Sequence, residues 1–200
     1  GQFNYQNDRW AAVMGAYYYD GDACGAFDVV LGLFGITDLT SGCVNTKSTS
    51  IYADATWSID DRWNLSFGGR WNEDKKTASV YVGRYLGIVT GPETALDRNN
   101  IPSGLSLLSV SSDYTNSRTF NDFTPRISVD YRFTDNVMGY ASFTNGFKSG
   151  GFDMRGNEAV FPGTVDGYEP ETVDSYEIGM KTTALDGDLI FNVTAFLADY

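Results

Sequence analysis

Asn145–Phe152 reads NGFKSGGF, a Lys-Ser pair set among glycines, which is the composition of a phosphate cradle. A phosphate-binding loop needs Gly directly before its Lys and another Gly five residues before that, so that backbone N–H groups can wrap the phosphates. Phe147 precedes Lys148 here, and position 142 is Ser. The nucleotide reading fails, and the glycines are expected to serve backbone geometry where the chain bends away from a strand.

Other chemistry-bearing residues fare no better. The chain has no histidine, which removes His-based triads, imidazole general bases and imidazole metal ligands together. Glu169, Glu171 and Glu177 invite a paired-carboxylate reading, but no pocket partner accompanies them. Asp20, Asp22 and Asp28 form an acidic stretch without the spacing or closing Glu of a calcium loop, so a solvated loop is expected. Cys24 and Cys43 are too few for zinc and lack C-x-x-C spacing. Lying in one polar, Gly-rich stretch, they fit a loop disulfide formed in an oxidising compartment, with two free thiols as the alternative. No catalytic residue, metal site or cofactor is assigned, and no ligand contact can be named.

The bulk numbers point elsewhere. A net charge of −12, from 26 acidic and 14 basic residues, argues against nucleic acid, whose binding needs clustered Lys and Arg. Aromatics supply 15% of the 200 residues, yet mean hydropathy is mildly negative. Many half-exposed strands fit that mixture better than a dense aliphatic core does.

Strict alternation supplies the elements. Trp63–Asn72 sets Trp63, Leu65, Phe67, Gly69 and Trp71 against Asn64, Ser66, Gly68, Arg70 and Asn72. Ile51–Ile59, Phe123–Phe133 and Ser175–Lys181 repeat the pattern, and Leu189–Leu197 has one fully apolar face. A period of two is the signature of strands with one apolar side. Asp, Asn and Gly clusters at 60–62, 134–136 and 185–187 are hairpin turn chemistry. The remaining connections, about 20–48, 73–121 and 148–169, are polar and are expected to be long loops, with Ala78–Leu86 as a further strand pair inside the second. Tyr17, Tyr18 and Tyr19 are expected to end the first strand. Short turns alternating with long loops give an antiparallel up-and-down sheet of about seven strands, starting near Trp10.

The apolar face must meet either a second sheet or lipid. Trp63 and Trp71 share that face, roughly 19–20 Å apart along a membrane normal at ~3.3 Å per residue and ~40–45° tilt. That spacing fits the two aromatic girdles of a transmembrane barrel, with Tyr131 and Phe133 at the turn-side girdle. The opposite face carries Asp54, Arg70, Arg126, Asp130, Arg132, Glu177 and Lys181, which suits a water-filled lumen. WNEDKK at 71–76 reads as a solvated charged rim, with contact to anionic headgroups as the alternative.

Three stretches carry a resemblance. SIYADATWSIDDRWNLSFGGRWNEDKK (50–76), FTPRISVDYRFTDNVMGYASFTNGFKSGGF (123–152) and YEPETVDSYEIGMKTTALDGDLIFNVTAFLADY (168–200) resemble, in order, segments of the TonB-dependent outer-membrane receptors. The resemblance implies a slice of a barrel of about 22 strands, with a plug domain, its TonB-contacting box and the barrel termini lying outside residues 1–200. It also implies the Gram-negative outer membrane as location, surrounding lipid and the TonB complex as partners, and active import of an iron complex, or sometimes cobalamin or glycans. In that setting Arg70, Arg126 and Arg132 are expected to pack against the plug, with guidance of an anionic siderophore as the alternative. A passive porin-like barrel and a soluble secreted β-domain are the competing readings.

Overall fold

The computed structural model describes residues 1–88, 101 and 103–200. Among these, eight strands form one antiparallel sheet in up-and-down order. They are β1 (Gln2–Gln6), β2 (Trp10–Leu31), β3 (Ile36–Ser58), β4 (Trp63–Leu86), β5 (Ser106–Thr134), β6 (Val137–Lys148), β7 (Glu171–Ala184) and β8 (Leu189–Asp199). β1 and β8 are edges, so the sheet is open, a portion of a barrel.

Eight strands replace the expected seven because β1 is a five-residue strand, too short for its alternation of Phe3 and Tyr5 with Gln2, Asn4 and Gln6 to register. A larger correction concerns the loops. Residues 20–48 are almost wholly strand: β2 runs to Leu31, turns within four residues, and returns as β3 from Ile36. Tyr17, Tyr18 and Tyr19 therefore lie in mid-strand rather than at its end. β4 likewise continues to Leu86 and pairs with β5 back to Ser106. The rest of that expected loop, 89–100 and 102, lies outside the described residues.

Turn chemistry explains one end of the sheet. Asn7 Oδ1 accepts from the N–H groups of Arg9 and Trp10 at 2.9 and 2.8 Å, and Asp60 Oδ1 accepts from those of Arg62 and Trp63, both at 2.8 Å. The sequences NDRW (7–10) and DDRW (60–63) thus close two hairpins by the same side-chain-to-backbone device. Accepting two N–H groups holds the Asp60 carboxyl below its ordinary pKa. Leu185 and Asp186 both adopt positive φ, the backbone twist that a tight hairpin turn requires.

Exposure distinguishes the two faces. Ser50 is 0% exposed and Ser66 7%, whereas their neighbours Ile51 and Phe67 are 58% and 41% exposed. Small polar side chains crowded together, beside large apolar ones left open, mark the serine face as the inner, concave side. Among the described residues no second layer covers the outer face between Trp63 and Trp71, and there Trp63, Phe67, Trp71, Phe123 and Ile127 all stand exposed. Trp10 stacks on Trp57 at 5.6 Å, and Trp63, Tyr131 and Phe133 cluster with centroids 4.4 and 4.8 Å apart, all near the short turns.

The strands exceed what a membrane needs. A tilted span takes about 9–11 residues, but β2–β5 have 22 to 29. Beyond Trp71 they continue as a four-stranded blade whose inner face turns apolar. There Ala78, Val80 and Tyr114 are buried under Phe152, with Met154 and Val165 packed alongside. On the blade's outer face Leu39, Tyr81 and Tyr85 form a second buried cluster with Ile101 and Leu105.

Candidate functional site

The seven charged residues singled out from sequence all stand in inner-face register. Asp54 on β3, Gly68 on β4, Arg126 on β5 and Thr144 on β6 form one transverse row. Arg126 Nε reaches Asp54 Oδ2 at 2.8 Å over the intervening strand. Gly68 makes this possible: a Cβ there would lie 2.4 Å from Asp54 Oδ2 and 2.6 Å from the Ala53 carbonyl. Both partners are substantially exposed, so the pair adds at most about 1 kcal/mol and acts chiefly to fix two side chains.

Tyr140 lies across β7 in the same fashion. A Cβ on Gly179 would meet its ring at 2.5 Å. The Tyr140 hydroxyl donates to Glu177 Oε1, lies 3.0 Å from Thr194 Oγ1, and its ring sits 5.5 Å from the Lys181 ammonium. Arg70 donates to Asn72 Oδ1 and faces the Tyr17 ring at 6.0 Å. A hollow of about 280 Å³ is lined by Tyr52, Asp54, Arg70, Thr124, Arg126 and Thr144 among others. Asp130 shares the row of Tyr140 and Gly179, and Arg132 that of Lys181, but neither makes an ion pair among the described residues. One rung above Arg70, the buried Ser50 hydroxyl and one Asp122 carboxylate oxygen have no partner among the described residues.

The carboxylates considered for catalysis are dispersed onto separate partners. Glu169 accepts from Arg118 at 2.8 and 2.9 Å, Glu171 pairs with Lys148 at 3.1 Å, and Glu177 binds Tyr140. Cys24 and Cys43 face each other across β2 and β3 and are bonded. They therefore join two strands of the blade rather than the ends of a loop. Asp20 and Asp22 also lie on β2, where the Asn45 amide donates to both, at 3.1 and 3.0 Å. No group of three or more His, Cys, Asp or Glu placed to hold a metal occurs among the described residues.

Sequence reasoning missed the strap that follows β6. Residues 149–168 fold over the blade's inner face and are pinned from strands β4 and β5. Lys76 donates to the Gly150 carbonyl at 2.7 Å, and Asn116 to that of Val165 at 2.7 Å. Ser112 donates to the Gly156 carbonyl at 2.7 Å and accepts from the Glu158 N–H at 2.9 Å. Arg118 donates to the Asp166 carbonyl at 2.7 Å while stacking on Phe120 at 4.8 Å. Burial pushes the Lys76 pKa down, with nearby Asp74 opposing.

Gly150 is needed for close approach, not for a left-handed backbone: a Cβ would come within 2.5 Å of both the Phe120 ring and the Tyr168 carbonyl. The signal available in sequence was Lys76, Ser112, Asn116 and Arg118, spaced on alternate positions of the inner face in segments read as loop.

A family model described as "TonB dependent receptor-like, beta-barrel" matches residues 1–200. The chain belongs to the TonB-dependent receptor β-barrel family. Among solved structures, this receptor chain is similar to the ferric yersiniabactin uptake receptor FyuA from Yersinia pestis, with a TM-score of 0.56 and 12% identity over 96% of its length. It is also similar to the ferric-catecholate import receptor Fiu from E. coli K12, with a TM-score of 0.51 and 14% identity over 94% of its length. It spans 30% and 31% of those two chains, respectively. At such identities the likeness is one of fold. Receptor barrels of this family reside in the Gram-negative outer membrane and are transporters, not enzymes.

Proposed function

We propose that residues 1–200 form part of the barrel wall of an outer-membrane receptor that imports a scarce nutrient, a ferric siderophore or similar iron complex, energised by the TonB complex. The supporting observation is that between the rungs Trp63–Tyr131 and Trp71–Phe123 the sheet is, among the described residues, a single layer, apolar outside and charged inside. In this reading the outer face meets hydrocarbon and the inner face lines a wet lumen containing the plug. An open edge in hydrocarbon leaves backbone groups unpaired at several kcal/mol each, so β1 and β8 are expected to pair with further strands of the parent chain.

Arg70, Arg126 and Lys181 give this stretch of lumen cationic groups held by Asn72, Asp54 and Tyr140. Held in place, they can contact the plug or guide an anionic iron complex without breaking any bond in it. The two similar solved structures are receptors for iron complexes, which supports the same cargo class here.

The test uses the full-length receptor expressed in an iron-starved host. Uptake of radiolabelled iron from ferric siderophores is expected to require both the receptor and functional TonB. Uptake that persists without TonB supports a passive pore instead. Binding of cobalamin or a glycan, with no iron-dependent uptake, overturns the cargo class while leaving the transporter reading intact.

A further inference from the structure

The strap is fastened unevenly. Among the described residues, its hydrogen bonds to the blade all end on β4 or β5, as at Lys76, Ser112, Asn116 and Arg118. The Ala159 N–H adds one more, to the Ser111 carbonyl at 3.0 Å.

Toward β2 and β3 the strap extends a thioether instead. Gly25 and Gly42 face each other across those strands, in one row with Val80 and Tyr114. A Cβ on Gly42 would lie 3.1 Å from Met154 Sδ, and one on Gly25 3.2 Å from Met154 Cε. The thioether thus rests against two bare backbones, beside the buried cluster of Val80, Tyr114 and Phe152. One residue along, on the opposite face, the Cys24–Cys43 disulfide holds the same two strands together beneath this seat.

Met154 also stands apart from the other methionines. Met14 lies in an outer-face groove with Ile51, Trp71 and Phe123, and Met180 in another with Trp63, Tyr131 and Phe133. Met138 is an inner-face residue near the short turns, between Arg132 and Lys181. Of the four, only Met154 belongs to the blade beyond Trp71. It is half-buried, which leaves its side chain open to small solutes.

We infer that Met154 is a site of oxidative modification, and that its oxidation releases the strap from the β2–β3 half of the blade. The oxidant is a hydroperoxide such as hydrogen peroxide. A sulfur electron pair forms the S–O bond, the O–O bond breaks, sulfur is oxidised by two electrons, and the peroxide is reduced to water. Glycine, valine and phenylalanine side chains give the new sulfoxide oxygen no donor, so it leaves the seat for water. The pins on β4 and β5 remain, so the strap lifts at its Phe152–Arg155 end and uncovers Ala78 and Val80. The modification rests on the fold and is independent of the cargo. The shielding of Met14 and Met180 rests on the reading of the outer face as lipid-contacting.

The experiment treats the full-length receptor in lipid bilayers with hydrogen peroxide. Peptide mass spectrometry then follows oxidation of each methionine and amide deuterium uptake. Oxidised and unoxidised copies of the strap peptide differ in mass, so the two populations are compared within the wild-type protein. Met154 is expected to be oxidised ahead of Met14 and Met180. Exchange across 152–159 should be about ten-fold faster in the oxidised copies, the scale set by an unpartnered polar group in an apolar seat. Methionine sulfoxide reductases A and B together should restore the slower exchange. Met154→Leu keeps the apolar volume and should hold its exchange constant through peroxide treatment. Equal exchange in oxidised and unoxidised copies overturns the inference. So does a Met154 that stays unoxidised while the others react, or a Met154→Leu strap that peroxide still loosens. Oxidation of Met14 and Met180 as fast as Met154, with the strap loosening as expected, overturns the lipid-facing reading and leaves this inference standing.

Discussion

Placing an arginine at successive positions along β5 tests which solvent the outer face meets. Phe67 pairs with Ile127 midway between the rungs Trp63–Tyr131 and Trp71–Phe123, so Ile127 marks the centre of the apolar band. Arg at the midplane of a barrel's lipid face costs about 2–4 kcal/mol, falling to about 0–1 near the interfaces. Val129 lies two residues toward the turns, about 5 Å from the centre along the normal. Ile127→Arg should therefore cost the full amount and Val129→Arg a smaller one. Ser128 lies between them on the inner face, in register with Ser66 and Ser142. Ser128→Arg points into water and should cost below about 1 kcal/mol. Denaturant titration of the full-length receptor refolded into bilayers, followed by tryptophan fluorescence, gives the three free energies. Equal costs for Ile127→Arg and Ser128→Arg would refute the facing, and with it the membrane reading. A larger cost at Val129 than at Ile127 would refute only the depth assignment.

Gly68→Ala should destabilise the receptor by about 1–3 kcal/mol in the same titration, the usual range for overpacking, because the new Cβ meets the Ala53 carbonyl as well as the Asp54 carboxylate. Adding Asp54→Asn should not rescue it, since the backbone clash remains. Gly150→Ala should loosen the strap locally, raising amide hydrogen exchange across 149–168 while leaving β6 protected; unchanged exchange would show that Phe120 and Tyr168 yield easily. Asp60 has a folded pKa below its unfolded value, so its contribution is complete above the unfolded pKa and disappears as pH falls through the folded one. Asp60→Asn, which can still accept both N–H groups, should flatten that acid limb in a pH series of unfolding midpoints.

What the sequence disclosed follows from where one physical rule operated alone. Between the rungs Trp63–Tyr131 and Trp71–Phe123, one apolar and one polar face give strict alternation, so Trp63–Asn72 and Phe123–Phe133 were legible as strands. So were the turns, because Asp60 and the Asp186-Gly187 pair do their work within a few residues. Beyond Trp71 the rule changes. The inner face becomes apolar at Ala78 and Val80 because the strap covers it, and the outer face holds Leu39, Tyr81 and Tyr85 for a second cluster. With both faces part-apolar and interrupted by Thr, Ser and Gly, period-two contrast vanishes, and β2 and β3 read as loop. Their identity as strand depends on partners up to dozens of residues away, which local pattern does not register.

The cross-strand contacts were hidden for a related reason. Gly68 and Gly179 look like weak strand residues in isolation. Each is the gap through which a neighbour's side chain passes, Asp54 toward Arg126 and Tyr140 toward Glu177. A glycine in a barrel wall is thus a statement about the strand beside it. In the proposed lumen, a charge held flat against the wall by such a gap is set in position before a plug or ligand meets it. A free arginine at the same site would first have to lose its rotamer freedom, at up to about 2 kcal/mol.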